Sequence, residues 1–291
     1  MPRVPKNWLD CVVYMYPSVD AALKGVRAGG TGFIVSVPTE HSFTPDKHHV
    51  YFVTNSHVVR EGASPVVRLN LPGGGFDVLP YEDRHWTHHP DGDDVAVAPA
   101  AGLDRFRSAQ VSRSMFLTPE KQAHWDFGPG DETFFIGRYV DRDGKAHNVP
   151  SVRFGTISVL PAEPVYQRER GIRQESILVE ARSLSGFSGS PVFIYASSYI
   201  SVSEMETEPG RLEKAARVNP VIGSPCFLLG VDWGHHPWVD PVRSSADGLP
   251  HPDGDFVRTS LGMMMVVPAV KILELLDSPE GSCPRSGVKA D

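Results

Sequence analysis

Ser188 stands between two glycines in Ser185-Gly186-Phe187-Ser188-Gly189-Ser190-Pro191-Val192-Phe193, with an apolar β-type run following it. Glycines let the backbone turn tightly, so successive N–H groups can converge on one point while the serine oxygen projects beside them. A serine hydroxyl is a poor nucleophile until a base takes its proton, and the base needs an acid to hold its tautomer. Tyr51-Phe52-Val53-Thr54-Asn55-Ser56-His57-Val58-Val59 places His57 just after an apolar strand. Asp93-Asp94-Val95-Ala96-Val97-Ala98 places two candidate acids at the start of another. The chain therefore carries His, Asp and Ser, in that order, in settings that suit nucleophilic catalysis. The Ser188 motif on its own has two other readings. One is a Gly/Ser turn in a β protein. The other is the G-x-S-x-G elbow, which needs a strand before and a helix after it; Pro191 and the β run disfavour it.

Other chemistry is thinly supported. His48-His49, His85, His88-His89 and His235-His236 include an i, i+3 pair, His85 and His88, but neither an H-E-x-x-H motif nor a cysteine pair accompanies them. They read as surface histidines, and no metal or cofactor is expected. Gly73-Gly74-Gly75 lacks the Lys-Ser/Thr of a phosphate loop and reads as a hairpin turn. Cys11, Cys226 and Cys283 are an odd set without paired spacing, which argues against a disulfide framework and for a reducing compartment. Cys11 and Cys226 read as small apolar core residues.

With these residues in view, the sequence resembles the trypsin-like (chymotrypsin-fold) serine peptidases, closest to bacterial HtrA-type protease domains. Gly30-Thr31-Gly32-Phe33 resembles the family's G-[ST]-G-F strand, Thr54-Asn55-Ser56-His57-Val58-Val59 its T-N-x-H-V-V motif, and Asp94-Val95-Ala96-Val97 its D-[IV]-A-[LV]. Gly186-Phe187-Ser188-Gly189-Ser190-Pro191 resembles G-[DN]-S-G-G-P, and Asp232-Trp233-Gly234 resembles the later S-W-G strand. The resemblance implies Ser188 as nucleophile, His57 as general base and then acid, and Asp94 as the residue that orients His57. The phase of D-V-A-V favours Asp94 over Asp93, which reads as solvated. The N–H groups of Gly186 and Ser188 are implied as the oxyanion hole. Asp232, Trp233 and Gly234 are implied as the edge of the cleft, where an extended peptide adds as a strand.

Two departures stand out. Phe187 replaces the usual Asp or Asn, so an activating ion pair between that acid and a newly cut N-terminus is not available. Ser190 replaces a glycine. Arg182, six residues before Ser188, falls by resemblance near the base of the primary specificity pocket, where it would favour an acidic side chain. The competing reading is a solvated strand-end residue, which fits the usual exposure of long charged side chains.

The elements that must position these residues read as strands. The chain has 27 glycines and 26 prolines in 291 residues. That combined share is about 18%, against about 12% in ordinary proteins. Short Val/Ile/Phe/Tyr-rich runs recur at Cys11–Tyr16, Gly32–Val37, Val50–Thr54, Val66–Leu69, Asp94–Ala98, Thr133–Gly137, Val152–Val159, Ile177–Ala181, Pro191–Tyr195, Phe227–Val231 and Gly262–Val267. Helical patterns are confined to a stretch beginning at Pro268 and a short one near Val19 to Leu23. The segments Ser197–Pro225 and His235–Ser260 lack a period and read as long loops, suited to holding a lid. A net charge of −7 speaks against a nucleic-acid binder, and no apolar run approaches a membrane span.

The expected architecture is all-β: two six-stranded antiparallel β-barrels in the chymotrypsin/trypsin manner, about 11–125 and 130–267, with a C-terminal helix at 268–277. The tail 278–291 reads as disordered and leaves no room for the PDZ domain that HtrA-type proteins often carry. The expected activity is peptide-bond hydrolysis on a protein or peptide substrate, in a cytoplasmic setting, with an activating protein partner as a further possibility. A catalytically inactive, protease-like peptide- or partner-binding module is the alternative.

Overall fold

The computed structural model describes residues 3–38, 48–139, 144–161, 163–167, 171–183, 186–195, 226–244, 248–250 and 254–278. Ser185, Cys283, the Ser197–Pro225 segment and the tail beyond Ser278 lie outside them.

Strand β1 (Val12–Tyr16) shows why this composition builds stacked sheets. Successive side chains of a strand point to opposite faces. Val12, Tyr14 and Tyr16 enter one core, and Val13 and Met15 enter another, all of them buried. A strand apolar at every position is thus buried on both sides. It pairs with β2 (Gly30–Pro38) and β4 (Val66–Asn70). β2 continues the sheet to β3 (His48–Thr54), then β7 (Ala96–Pro99) and β6 (Thr87–His88), while β5 (Phe76–Leu79) flanks β4. β8 (Val111–Ser112) pairs with β2 in parallel.

The second half closes on itself. β9 (Glu132–Gly137), β10 (Ser151–Val159), β13 (Ile177–Glu180), β14 (Pro191–Tyr195), β15 (Cys226–Pro241) and β16 (Phe256–Pro268) form an antiparallel barrel in the order β10-β13-β16-β15-β14-β9. Its interior is filled by Phe135, Ile157, Val179, Phe187, Ile194, Leu229 and Met264 among others. The alternate faces of β9, β14 and β15 carry Phe134, Ile136, Phe193, Leu228 and Val231 into the same core as Tyr14, Phe33 and Val53 of the first half. Phe134 and Phe193 stack with centroids 5.0 Å apart, and Trp8 packs edge-on against Phe193. This shared core fixes one half against the other.

The helix after Pro268, α4 (Ala269–Asp277), buries Ala269, Ile272, Leu275 and Leu276, one face at helical spacing, in that shared core. Among the described residues three short α-helices precede it: α1 (Val19–Lys24), α2 (Ser56–Val59) and α3 (Pro119–Trp125). Among the described residues no helix is long and apolar enough to cross a membrane.

Every strand expected from the sequence is present, with small shifts at its ends. The expectation of two closed barrels needs correcting. The first half is an eight-stranded sheet whose pairing does not close among the described residues. Its edges are β5 and the two-residue β6, too short to carry a ladder around. The 235–260 stretch is not simply loop: β15 and β16 run into it as a paired ribbon, from Pro237↔Ser260 to Pro241↔Phe256. A small hairpin, β11 (Val165–Gln167) with β12 (Ile172–Gln174), also went unforeseen.

Because Phe193 joins the halves, Phe193→Ala should lower the unfolding free energy by about 3–5 kcal/mol, the usual cost of emptying a buried aromatic site. Urea denaturation measures this. A loss under about 1 kcal/mol would mean that the interface collapses around the gap or contributes little.

Candidate active site

His57 and Asp94 meet in the first half. α2 begins immediately after β3, so the strand delivers His57 at its end. The His57 main-chain N–H donates to Asp94 Oδ1 at 2.9 Å, and His57 Nδ1 lies 2.7 Å from Asp94 Oδ2. A carboxylate only accepts, so Nδ1 carries the proton and Nε2 is left as the acceptor. Asp94 itself is anchored at both ends of its backbone: Asn55 Nδ2 donates to its carbonyl at 2.8 Å, and its N–H donates to Gln174 Oε1 at 2.7 Å. The Asp94 side chain is 1% exposed and that of His57 19%, so the acid is shielded while the base keeps an open side.

Ser188 lies in the turn before β14, half-buried. The turn is held to both halves through backbone. Thr31 N–H of the first half donates to Ser188 O at 2.8 Å, and Gly189 N–H donates to Asp232 O of β15 at 2.8 Å. At Gly189 a Cβ would lie 1.9 Å from Thr31 O and 2.4 Å from Thr54 Oγ1, and the φ of +88° is already left-handed. Only glycine fits there. Gly30 is squeezed similarly: a Cβ would meet Val58 on one side and Ser188 O on the other. The Ser188–Gly189 turn and the residue after His57 therefore press on the same glycine. Gly186 is half-buried with φ +97°, and its carbonyl accepts from Thr31 Oγ1 at 2.8 Å. Phe187 is fully buried in the second barrel's core, where apolar packing seats the turn.

Of the remaining candidates, Asp232 and Trp233 have buried side chains, Gly234 is half-buried and Arg182 is exposed. Asp232 does not line an open edge: it is fully buried, with its carboxyl accepting from Ser183 Oγ at 2.7 Å and Gly234 N–H at 3.0 Å. Trp233 is 1% exposed. Its indole N–H donates to Ser176 Oγ at 3.0 Å, and Val165 and Ile172 of the β11–β12 hairpin pack into its cluster. It is a covered side chain, because a hairpin that no local pattern announced lies over it. Gly234 is half-buried beside it. Arg182 is exposed at the end of β13, where its carbonyl accepts from Arg153 Nη1 at 2.8 Å, the placement of a solvated strand-end residue.

No known protein family matches the sequence, and neither does any curated protein. Among solved structures, the chain is similar to the crystal structure of the MamO protease domain from Magnetospirillum magneticum in its apo form. The TM-score is 0.50 at 15% identity, over 94% of this chain and 99% of that one. The fold is protease-like. At this identity the likeness concerns architecture; the HtrA-type flavour rests on the sequence motifs.

Reading by sequence missed a polar cluster behind Asp94. Asp93 is not merely solvated: Gln174 Nε2 donates to its Oδ1 at 2.7 Å, and Lys271 Nζ lies 3.3 Å from its Oδ2. Nor are His88 and His89 surface histidines. His88 sits between Ser56 Oγ and Asp83 Oδ1, each at 3.0 Å, and burial followed by the Arg60 charge lowers its pKa. His89 is buried, 3.4 Å from Asp93 and 3.2 Å from Glu274. His89, Asp93 and Glu274 have the composition of a metal site. Lys271 nevertheless places its ammonium 3.2 Å from Glu274 and 3.3 Å from Asp93, so the cation that balances the carboxylates is already in the chain. The cluster is an ion-pair network tying α4 to the Asp94 loop. Cys11 and Cys226 have thiol pKa values pushed up to about 12, chiefly by burial, which leaves both inert at neutral pH.

Burial likewise pushes the Asp232 carboxyl up to about 7, from an ordinary 3.8. Between about pH 4 and 7 the folded chain therefore holds a proton that the unfolded chain has released. Stability contributed by this group falls as pH rises through that window and levels off above it. Asp232→Asn, which keeps the shape and removes the charge, should flatten the pH dependence. Its melting temperature relative to the parent should rise by at least about 2 °C from pH 5 to pH 8. Parallel melting curves across this range would mean that Asp232 does not titrate there.

Proposed function

We propose that the chain is a serine endopeptidase that hydrolyses peptide bonds through Ser188, His57 and Asp94. The observation that carries the reading is the double grip of Asp94 on His57, through the main-chain N–H and through Nδ1. It leaves Nε2 as the acceptor, and the glycine-bounded serine turn is hydrogen-bonded to β2 of the same half through Thr31. The protease-like fold supports it.

In this mechanism Ser188 Oγ attacks the scissile carbonyl as its proton passes to His57 Nε2, and Asp94 stabilises the resulting imidazolium. The carbonyl oxygen becomes an oxyanion held by the N–H groups of Gly186 and Ser188. His57 then gives its proton to the leaving amine as the C–N bond breaks, forming an acyl-enzyme. Water, deprotonated by His57, attacks the ester, and collapse releases the new carboxyl end and restores Ser188. The substrate chain would run as an added strand along Asp232-Trp233-Gly234. No cofactor enters.

The covered Trp233 favours a cleft that is remodelled by a partner or by substrate over one that stands open to any protein. This supports a regulated effector protease.

Mass-spectrometric profiling of a peptide pool tests the reading, with fluorophosphonate labelling of the same samples. The parent should cleave and label at Ser188, and Ser188→Ala should do neither. Asp94→Asn should lower kcat by about 10⁴-fold through the wrong tautomer, as in other triad proteases. Identical fragments from the parent and Ser188→Ala would remove Ser188 as nucleophile. A folded parent that is unlabelled with and without candidate partners would favour the peptide-binding alternative.

A further inference from the structure

The proposed oxyanion hole needs the N–H groups of Gly186 and Ser188, two residues apart, held in register. Glycine at positive φ turns over at little cost. A hole built on Gly186 therefore needs an external restraint. The structure assigns this role to Thr31, and we propose that it is the positioning residue of the oxyanion hole. The inference rests on the serine-protease reading.

Thr31 lies in β2 of the first half and is fully buried. Its hydroxyl accepts from the Arg138 main-chain N–H at 3.0 Å and donates to the Gly186 carbonyl at 2.8 Å. The accepted bond settles the hydroxyl's direction, since its one proton must then go to Gly186. Its main-chain N–H donates to the Ser188 carbonyl at 2.8 Å. One residue thus grips the carbonyls on both sides of Phe187: the Gly186 carbonyl belongs to the peptide group that lies between the two donor N–H groups, and the Ser188 carbonyl to the one that follows them, so the stretch carrying both donors is held at its middle and at its end. Thr31 is in turn held by Thr54 Oγ1, which donates to its carbonyl at 2.6 Å. Arg138 closes the cradle: its Nη1 would lie 2.6 Å from a Cβ on Gly186. Since Thr54 stands three residues before His57, the base and the oxyanion hole are referenced to the same point. Serine or threonine is the residue type this position requires, because a hydroxyl donates and accepts at once.

The test compares Thr31→Val, which keeps the shape and removes the hydroxyl, with Thr31→Ser, which keeps the hydroxyl. The probe is a fluorophosphonate: attack of Ser188 Oγ on its phosphorus, with departure of fluoride, develops negative charge on the phosphoryl oxygen without requiring a known substrate. The Val variant should label about 10- to 100-fold more slowly than the parent, below the cost of losing a donor outright, and the Ser variant within about threefold. The midpoint of the pH–rate profile should not move, because His57 and Asp94 are untouched. Equal rates for the Val variant and the parent, or a shifted midpoint, would overturn the inference. An unlabelled parent would instead sink the protease reading. If Thr31→Val does not fold, Thr31→Ala makes the same comparison. If neither folds, the hydroxyl is a folding determinant and the inference is overturned.

Discussion

Gly189 has no space for a side chain, and much of the candidate site follows from that. The residues proposed for catalysis come from two halves of the chain, and a sheet and a barrel packed through side chains alone tolerate small slips. Backbone against backbone does not. A Cβ on Gly189 would lie 1.9 Å from Thr31 O, so the turn carrying Ser188 rests directly on β2, the strand paired with the one that delivers His57. Gly30 repeats the close approach from the other side, between Val58 and Ser188 O. The aromatic core of Phe134, Phe193 and Trp8 presses the halves together, and the glycines set how far they can approach.

Polar groups then fix orientation within that contact. Asp94 is held at its N–H, its carbonyl and both carboxylate oxygens, with Gln174 reaching in from β12 of the second half. Asp93, its neighbour, is secured to Lys271 and Gln174. An acid that orients a base must itself be unable to rotate, and the layer behind it supplies that rigidity. Asp232 is a buried carboxyl of another kind. Two neutral donors hold it, and burial raises its pKa toward neutrality.

Much of this was legible in the sequence because it depends on local order. Short Val/Ile/Phe/Tyr-rich runs bounded by turn residues announced the strands, and His57, Asp94 and Ser188 drew notice by standing at strand ends or between glycines. What escaped reading depends on contacts distant along the chain. Val165 and Ile172 show no strong pattern, yet their hairpin buries Trp233, expected at an open edge. Arg68 reads as a strand charge, but its guanidinium is fully buried, bonded to Asn148 and to the carbonyls of Ala22 and Gly144. Closure of a barrel is still less legible, since it depends on whether edge strands are long enough to meet. Arg182, for which the sequence left a specificity-pocket role and a solvated strand end open, is exposed at the end of β13, as long charged side chains usually are.

Phe187 shows how one substitution in a motif redirects the physics of a site. Where the resembling family has Asp or Asn, this chain has a ring packed edge-on against Phe135 at 5.2 Å and buried in the barrel core. An acid at this position needs a cation, and a cation made by cutting the chain is a natural switch. A phenylalanine needs only the core, which is present as soon as the barrel folds. The turn before β14 is therefore seated by folding itself, and its neighbours Gly186 and Ser188 are drawn into place by packing on one side and by Thr31 on the other. An ion pair made by cutting the chain therefore has no part in seating this turn.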